Sequence, residues 1–214
     1  CDVGDWTDIV AISAGRDITV GLRLDGSVIS VGNNSGVKGG VDDWKNIIAV
    51  SVGDKHIVGL KADGTVAAVG NKFDGQCSVS DWADIVAVSA GSNYTVGLKA
   101  NGSVVAVGEN RLGECEARGW TDVAAVCAGY RHTVGLKSDG TLVAVGNNSN
   151  GQCDVSGLPN SVAKSVVSTA SIAELAAARA ELACYEEKTI CASYDFTVAV
   201  RTTGKVIASG TNAY

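Results

Sequence analysis

Four tryptophans, Trp6, Trp44, Trp82 and Trp120, follow one another at steps of 38 residues, and the same step links Gly21-Leu22, Gly59-Leu60, Gly97-Leu98 and Gly135-Leu136. A period of that length means stacked supersecondary units, since one such unit cannot bury its own apolar face. One unit reads "CSVSDWADIVAVSAGSNYTVGLKANGSVVAVGENRLGE", from Cys77 to Glu114. The units run over about 1–38, 39–76, 77–114, 115–152 and 153–214, and we read them as one domain spanning 1–214. The fifth starts at Cys153 and resumes as "KTICASYDFTVAVRTTGKVIASG" after an insertion near residues 159–184.

Each unit parses into four short strands. "DIVAVSAG" is an apolar run tapering to Ser, Ala and Gly, as for a strand buried on both faces where space narrows. "YTVGLK" alternates, "SVVAVG" is rich in valine, and "QCSV" is a short fourth strand. Asp25-Gly26, Asp63-Gly64, Asn101-Gly102 and Asp139-Gly140 sit between the second and third strands and are hairpin signals, with turn chemistry rather than calcium binding as their role. The expected fold class is all-β: a β-propeller of four-stranded blades, which hides sheet edges by radial repetition. Five blades are expected, with one helical insertion.

The pattern W-x-D-I-V-A-V-x-A-G-x-x-H-T-V-G-L-K-x-D-G, continuing V-V-A-V-G-N-N-x-x-G-Q-C, resembles bacterial repeats of the regulator of chromosome condensation family. It covers nearly all of the chain outside the insertion. The resemblance implies a β-propeller, commonly of seven blades in that family. Five units fit either a closed five-bladed ring or a fragment of a longer array; the matching phase of the two ends suits closure. The family's founder acts on a small GTPase and on chromatin through features outside the repeat core, and none of them is matched here.

Comparing units within the chain separates scaffold from candidate site. Two places vary. The first is the pair after the first strand: Arg16-Asp17, Asp54-Lys55, Ser92-Asn93, Tyr130-Arg131 and Tyr194-Asp195. The second is the loop after the third strand, with Ser35-Gly36, Phe73-Asp74, Arg111-Leu112, Ser149-Asn150 and Ala213-Tyr214 at matching positions. In an up-and-down meander both turns emerge on one face of the disc. The candidate partner-binding residues are therefore Arg16, Asp17, Asp54, Lys55, Phe73, Asp74, Ser92, Asn93, Arg111, Leu112, Tyr130, Arg131, Tyr194, Asp195 and Tyr214. Tyr, Arg and Phe are frequent interface anchors, so the expected partner is a protein, with a glycan as the other candidate. The alternative is that exposed loops vary because nothing constrains them.

His56 and His132 share a repeat position with Ile18, Tyr94 and Phe196, which reads as a packing slot with a hydrogen bond to nearby backbone. Two histidines in non-adjacent units do not assemble a catalytic or metal cluster. No phosphate-loop, dinucleotide, C-x-x-C or H-E-x-x-H motif is present, so neither enzyme activity nor a cofactor or metal is expected. The net charge of −6 supplies no basic excess to neutralise phosphates, which argues against nucleic acid. No apolar run is long enough to span a bilayer as a helix. The seven cysteines read as free thiols, which favours a reducing compartment, while the missing start methionine leaves secretion open. "STASIAELAAARAELACYEEKT", 168–189, carries a capping box at Ser171 and Glu174 and an apolar stripe. Packing back on the propeller and docking onto a partner are its two readings. The latter supports a second function, a structural module of a larger surface or assembly protein.

Overall fold

The computed structural model describes residues 3, 5–32, 37 and 40–155, and the backbone of the strands within 190–210. The helical insertion near 159–184 lies outside the described residues, as do Tyr194, Asp195, Tyr214 and Ser35-Gly36. Among the described residues, fifteen strands form five antiparallel three-stranded sheets in chain order. These are β1 (Ile9–Ala14), β2 (Ile18–Arg23) and β3 (Val28–Gly32); β4 (Ile47–Val52), β5 (His56–Lys61) and β6 (Val66–Gly70); β7 (Ile85–Ala90), β8 (Tyr94–Lys99) and β9 (Val104–Gly108); β10 (Val123–Ala128), β11 (His132–Lys137) and β12 (Leu142–Gly146); and β13 (Ile190–Ala192), β14 (Phe196–Val200) and β15 (Val206–Gly210). No helix occurs among the described residues.

Among the described residues the expected fourth strand is not there. Gln76 to Val79 instead runs through consecutive turns, closed by Gly75 N to Lys72 O, Ser78 N to Gly75 O, Val79 N to Cys77 O and Trp82 N to Val79 O. These bonds commit the amides of Ser78 and Val79 and the carbonyls of Cys77 and Val79 to local turns, in place of a ladder.

The repeating tryptophan and glycine are two halves of one contact. A Cβ on Gly21, Gly59, Gly97 or Gly135 would come within 2.6–2.7 Å of Cζ3 of Trp6, Trp44, Trp82 or Trp120 respectively, so the indole lies flat on the second strand only over glycine. Asp8, Asn46, Asp84 and Asp122, two residues after each tryptophan, have φ of 58–60°. Asp and Asn tolerate that left-handed geometry best among residues with a Cβ, and their carbonyls accept the amides of Leu24, Ala62, Ala100 and Ser138.

Neighbouring sheets are joined by a bond that repeats with the sequence. Ser13, Ser51 and Ser89 each accept, through Oγ, the amide of Val52, Ala90 and Ala128 in the next sheet, at 2.9–3.1 Å. Glycines close the strand ends: a Cβ on Gly15 would lie 2.3 Å from Gly53 O, and one on Gly53 2.3 Å from Gly91 O. The taper to Ala and Gly thus reflects inner strands converging on an axis. β1 differs from its sisters. Val10 and Ile12 are 50% and 73% exposed and Ala14 is exposed, whereas Ile48, Val50 and Val52 at the same positions of β4 are at least half-buried.

Candidate functional site

Three backbone bonds bring the two variable sets together. The amide after each third strand donates to the residue before the second strand: Asn71 N to Lys55 O, Glu109 N to Asn93 O and Asn147 N to Arg131 O. The Asp-Gly turns belong to the other end of the strands, where Gly26, Gly64 and Gly102 carbonyls accept the amides of Ile47, Ile85 and Val123. In those turns Asp25, Asp63 and Asp139 each accept the hydroxyl and amide two residues on. These bonds lower their pKa values below 3.8, the side-chain bond most of all.

The candidate residues divide by position. Arg16, Asp54, Ser92 and Tyr130 surround the mouth of an axial cavity of about 280 Å³, walled below by Ala14, Gly15, Val52 and their equivalents. Ser92 is buried there, its hydroxyl donating to Asp54 Oδ2 at 2.8 Å, and so ties two blades together rather than standing free as a contact. Asp17, Lys55, Asn93 and Arg131 lie outside this ring. Phe73, Asp74, Arg111 and Leu112 form the loop tips, with Phe73 88% exposed and Leu112 exposed beside it in sequence register.

The tips are held from below by side chains that the comparison of units passed over. Phe73 N donates to Asn71 Oδ1 at 2.7 Å and Asp74 N to Gln76 Oε1 at 3.0 Å; Ser149 and Asn150 are held in the same way by Asn147 and Gln152. Gln76, Glu114 and Gln152 are fully buried. In the third unit the support changes chemistry. Glu109 stands where Asn71 and Asn147 stand, and Glu114 where Gln76 and Gln152 stand, with Glu114 Oε2 accepting Leu112 N at 2.8 Å. Glu109 Oε2 accepts from Asn93 Nδ2 at 3.0 Å, and its Oε1 faces Arg111 Nε at 3.6 Å and Arg131 Nη2 at 3.7 Å. The guanidinium of Arg131 also lies over the Tyr130 ring, 5.4 Å from its centroid. The signal was in the sequence: two carboxylates where sister units carry amides.

Both histidines are fully buried on the second strands. His56 Nε2 lies 2.9 Å from Thr95 Oγ1, whose own hydroxyl donates to Gln76 O at 2.8 Å. Thr95 therefore accepts, and His56 carries its proton on Nε2. The partner in this bond is a hydroxyl of the next blade, and the backbone of Tyr94, also in the next blade, acts on the ring as a hydrogen-bond partner that raises its pKa. Burial lowers the His56 pKa from 6.5 to about 4, so the ring is neutral near pH 7. Tyr94, in the same slot one unit on, reaches the next blade through its hydroxyl, which donates to His132 O. Cys77, Cys115, Cys127 and Cys153 are free thiols. Among the described residues no group of three or more His, Cys, Asp or Glu side chains is placed to hold a metal ion, and no helix is long and apolar enough to cross a membrane.

The family described as "Regulator of chromosome condensation (RCC1) repeat" matches residues 9–36, 85–114 and 123–152. Among solved structures, the chain is similar to the ectodomain of the receptor kinase CR4 from Physcomitrella patens, at 20% identity and a TM-score of 0.70 over 96% of this chain and 53% of that one. It is similar to yeast RCC1 (Prp20) in its complex with Kap60, at 18% identity and a TM-score of 0.66 over 94% and 56%. Prp20p from Saccharomyces cerevisiae, described with binding properties to Gsp1p and histones, aligns at 17% identity and a TM-score of 0.65 over 95% and 57%. The chain spans little more than half the length of these structures, and the likeness is one of fold. No curated protein matches it.

Proposed function

We propose that this chain, an arc of β-propeller blades carrying regulator of chromosome condensation repeats, is a non-enzymatic scaffold that recognises a protein partner through its variable-loop face. The observation that carries the reading is the set of bonds from Asn71, Glu109 and Asn147 to the residues before the second strands, which put both variable sets edge to edge. Side chains that differ from blade to blade crowd one end of the sheets, while the tryptophan contact, the interblade serines and the Asp-Gly turns repeat. Exposed Phe73 and Leu112 supply apolar contact, and Tyr130, Arg131 and Arg111 supply anchors of the kind enriched at interface hot spots. The histidines are built into the blades, with His56 spent on Thr95. That yeast RCC1 (Prp20) has been seen bound to Kap60 supports protein binding as a class. A glycan is the second ligand class such a face admits.

The experiment is affinity capture with the intact chain and with a variant carrying Tyr130→Ala, Arg131→Ala and Tyr194→Ala. Loss of the captured protein at unchanged unfolding midpoint supports the reading. Capture that survives the triple change refutes it.

A second reading rests on β1. The exposed Val10, Ile12 and Ala14 match the positions of Ile48, Val50 and Val52, of which Val50 and Val52 pack in the cluster with the first sheet and Ile48 in the cluster with the third unit. This favours a structural module that packs against a further blade of the same repeat type in a larger assembly. Ile12→Lys would abolish such packing without touching the loop face.

A further inference from the structure

The third unit departs from its sisters where Glu109 replaces the asparagine of the other loops, and the change gives its side chain different partners. Asn71 and Asn147 bond the amide two residues ahead, inside their own loop. Glu109 instead gathers Asn93 and Arg111 of its own blade and Arg131 of the next: Asn93 donates to one oxygen, and the guanidinium groups of Arg111 and Arg131 face the other. The carboxylate side chain is only 7% exposed, while Arg111 is 75% and Arg131 38% exposed.

At 3.6 and 3.7 Å the two guanidinium groups are attracted to Glu109 without a direct hydrogen bond, which for charged partners falls at about 2.7–2.9 Å. Their donors are therefore not consumed by the carboxylate. Arg131 Nε is buried and has no hydrogen-bond partner among the described residues, so the part of the 38% exposed guanidinium that an incoming group meets is its Nη nitrogens, with the Tyr130 ring centroid 5.4 Å from its carbon. The two guanidinium groups are exposed, whereas the carboxylates of Glu109 and Glu114 are buried, in a chain whose net charge is −6. At physiological ionic strength charges beyond about 8 Å are largely screened, so the exposed guanidinium groups govern what can dock here.

We infer that Arg111 and Arg131, held over Glu109, form a receptor for a carboxylate side chain of the protein partner. This rests on the loop-face reading and narrows it to a partner presenting an Asp or Glu at this point. A planar guanidinium edge with free donors fits a carboxylate in paired fashion. The incoming oxygens would take the donors that Glu109 leaves unused. Glu109 itself has a positioning role: it gathers both arginines but competes with the incoming acid.

That competition makes the test specific. A capped hexaglutamate peptide is titrated into the intact chain while the arginine Nε–H signals are followed by NMR, with capped hexalysine and inorganic phosphate as separate arms. The Arg111 and Arg131 signals should shift with hexaglutamate and not with hexalysine. Arg131→Gln should weaken the interaction about three- to tenfold, and Glu109→Gln, which keeps an acceptor for Asn93, should strengthen it about as much. Absence of the shift, an unchanged affinity in either variant, or tighter binding of phosphate than of hexaglutamate overturns the carboxylate receptor. A captured partner lost on Phe73→Ala with Tyr130→Ala, yet indifferent to Arg111→Gln with Arg131→Gln, overturns this inference alone. A partner retained through the first pair overturns the loop-face reading beneath it.

Discussion

Replacing His56 by Phe should remove about 3 kcal/mol of the acid sensitivity of the folded state between pH 6.5 and 4. The native pKa is depressed by burial from 6.5 to about 4. A depressed pKa contributes stability that is fully present above 6.5 and is lost as the pH falls through the folded value, because the unfolded chain takes up the proton first. A fall of that size corresponds to roughly 3 kcal/mol. The substitution itself is tolerable, since the equivalent slot holds the six-membered ring of Tyr94, fully buried against Gly91. At pH 7 it costs about 1 kcal/mol for the lost bond to Thr95, which keeps its bond to Gln76 O. Urea unfolding of both proteins at half-unit pH steps from 7 to 4 measures the difference. The native chain should lose about 3 kcal/mol more than the variant over that range. Parallel profiles would refute the reasoning, since His56 would then titrate as it does in water.

Ser51→Ala leaves the amide of Ala90 without its interblade acceptor and should cost about 1–2 kcal/mol by chemical denaturation; a neutral result would mean water replaces the hydroxyl. Gly53→Ala drives a methyl to 2.3 Å from Gly91 O and 2.4 Å from the His56 ring, and should destabilise by more than about 3 kcal/mol or prevent folding, scored by far-UV circular dichroism. Burial, with Glu114 adding to it, pushes the Cys115 thiol up to about 12, so at pH 8 iodoacetamide should leave Cys115 unmodified in the folded chain and alkylate it in urea, as peptide mass analysis would show.

The blade pattern was legible because it is local. Alternation set the second strands, apolar runs set the first and third, and Asp-Gly set the hairpins, whose Gly26, Gly64, Gly102 and Gly140 have φ of 78–86°. The fourth strand was misread because "QCSV" has strand-like side chains, while its backbone is committed by Gly75 at φ 83° and the turns around it. The face shared by the two loops was legible from topology alone. What lay beyond reach was which variable residues stand free: nothing in the sequence says that Ser92 is turned inward onto Asp54. Glu109 and Glu114 were missed for a different reason. They sit beside the variable positions, where attention to the most variable residues overlooks an amide replaced by an acid of similar shape.

The central claim is that recognition belongs to the loop face and the repeated features only carry it. It is tested most directly by titrating the captured partner, by calorimetry, against two triple variants. One carries Phe73→Ala, Tyr130→Ala and Arg131→Ala on the loop face; the other carries Asp25→Ala, Asp63→Ala and Asp139→Ala in the hairpin turns at the opposite end of the strands. Binding should vanish in the first and persist in the second. Binding that persists in the first and vanishes in the second would contradict the account.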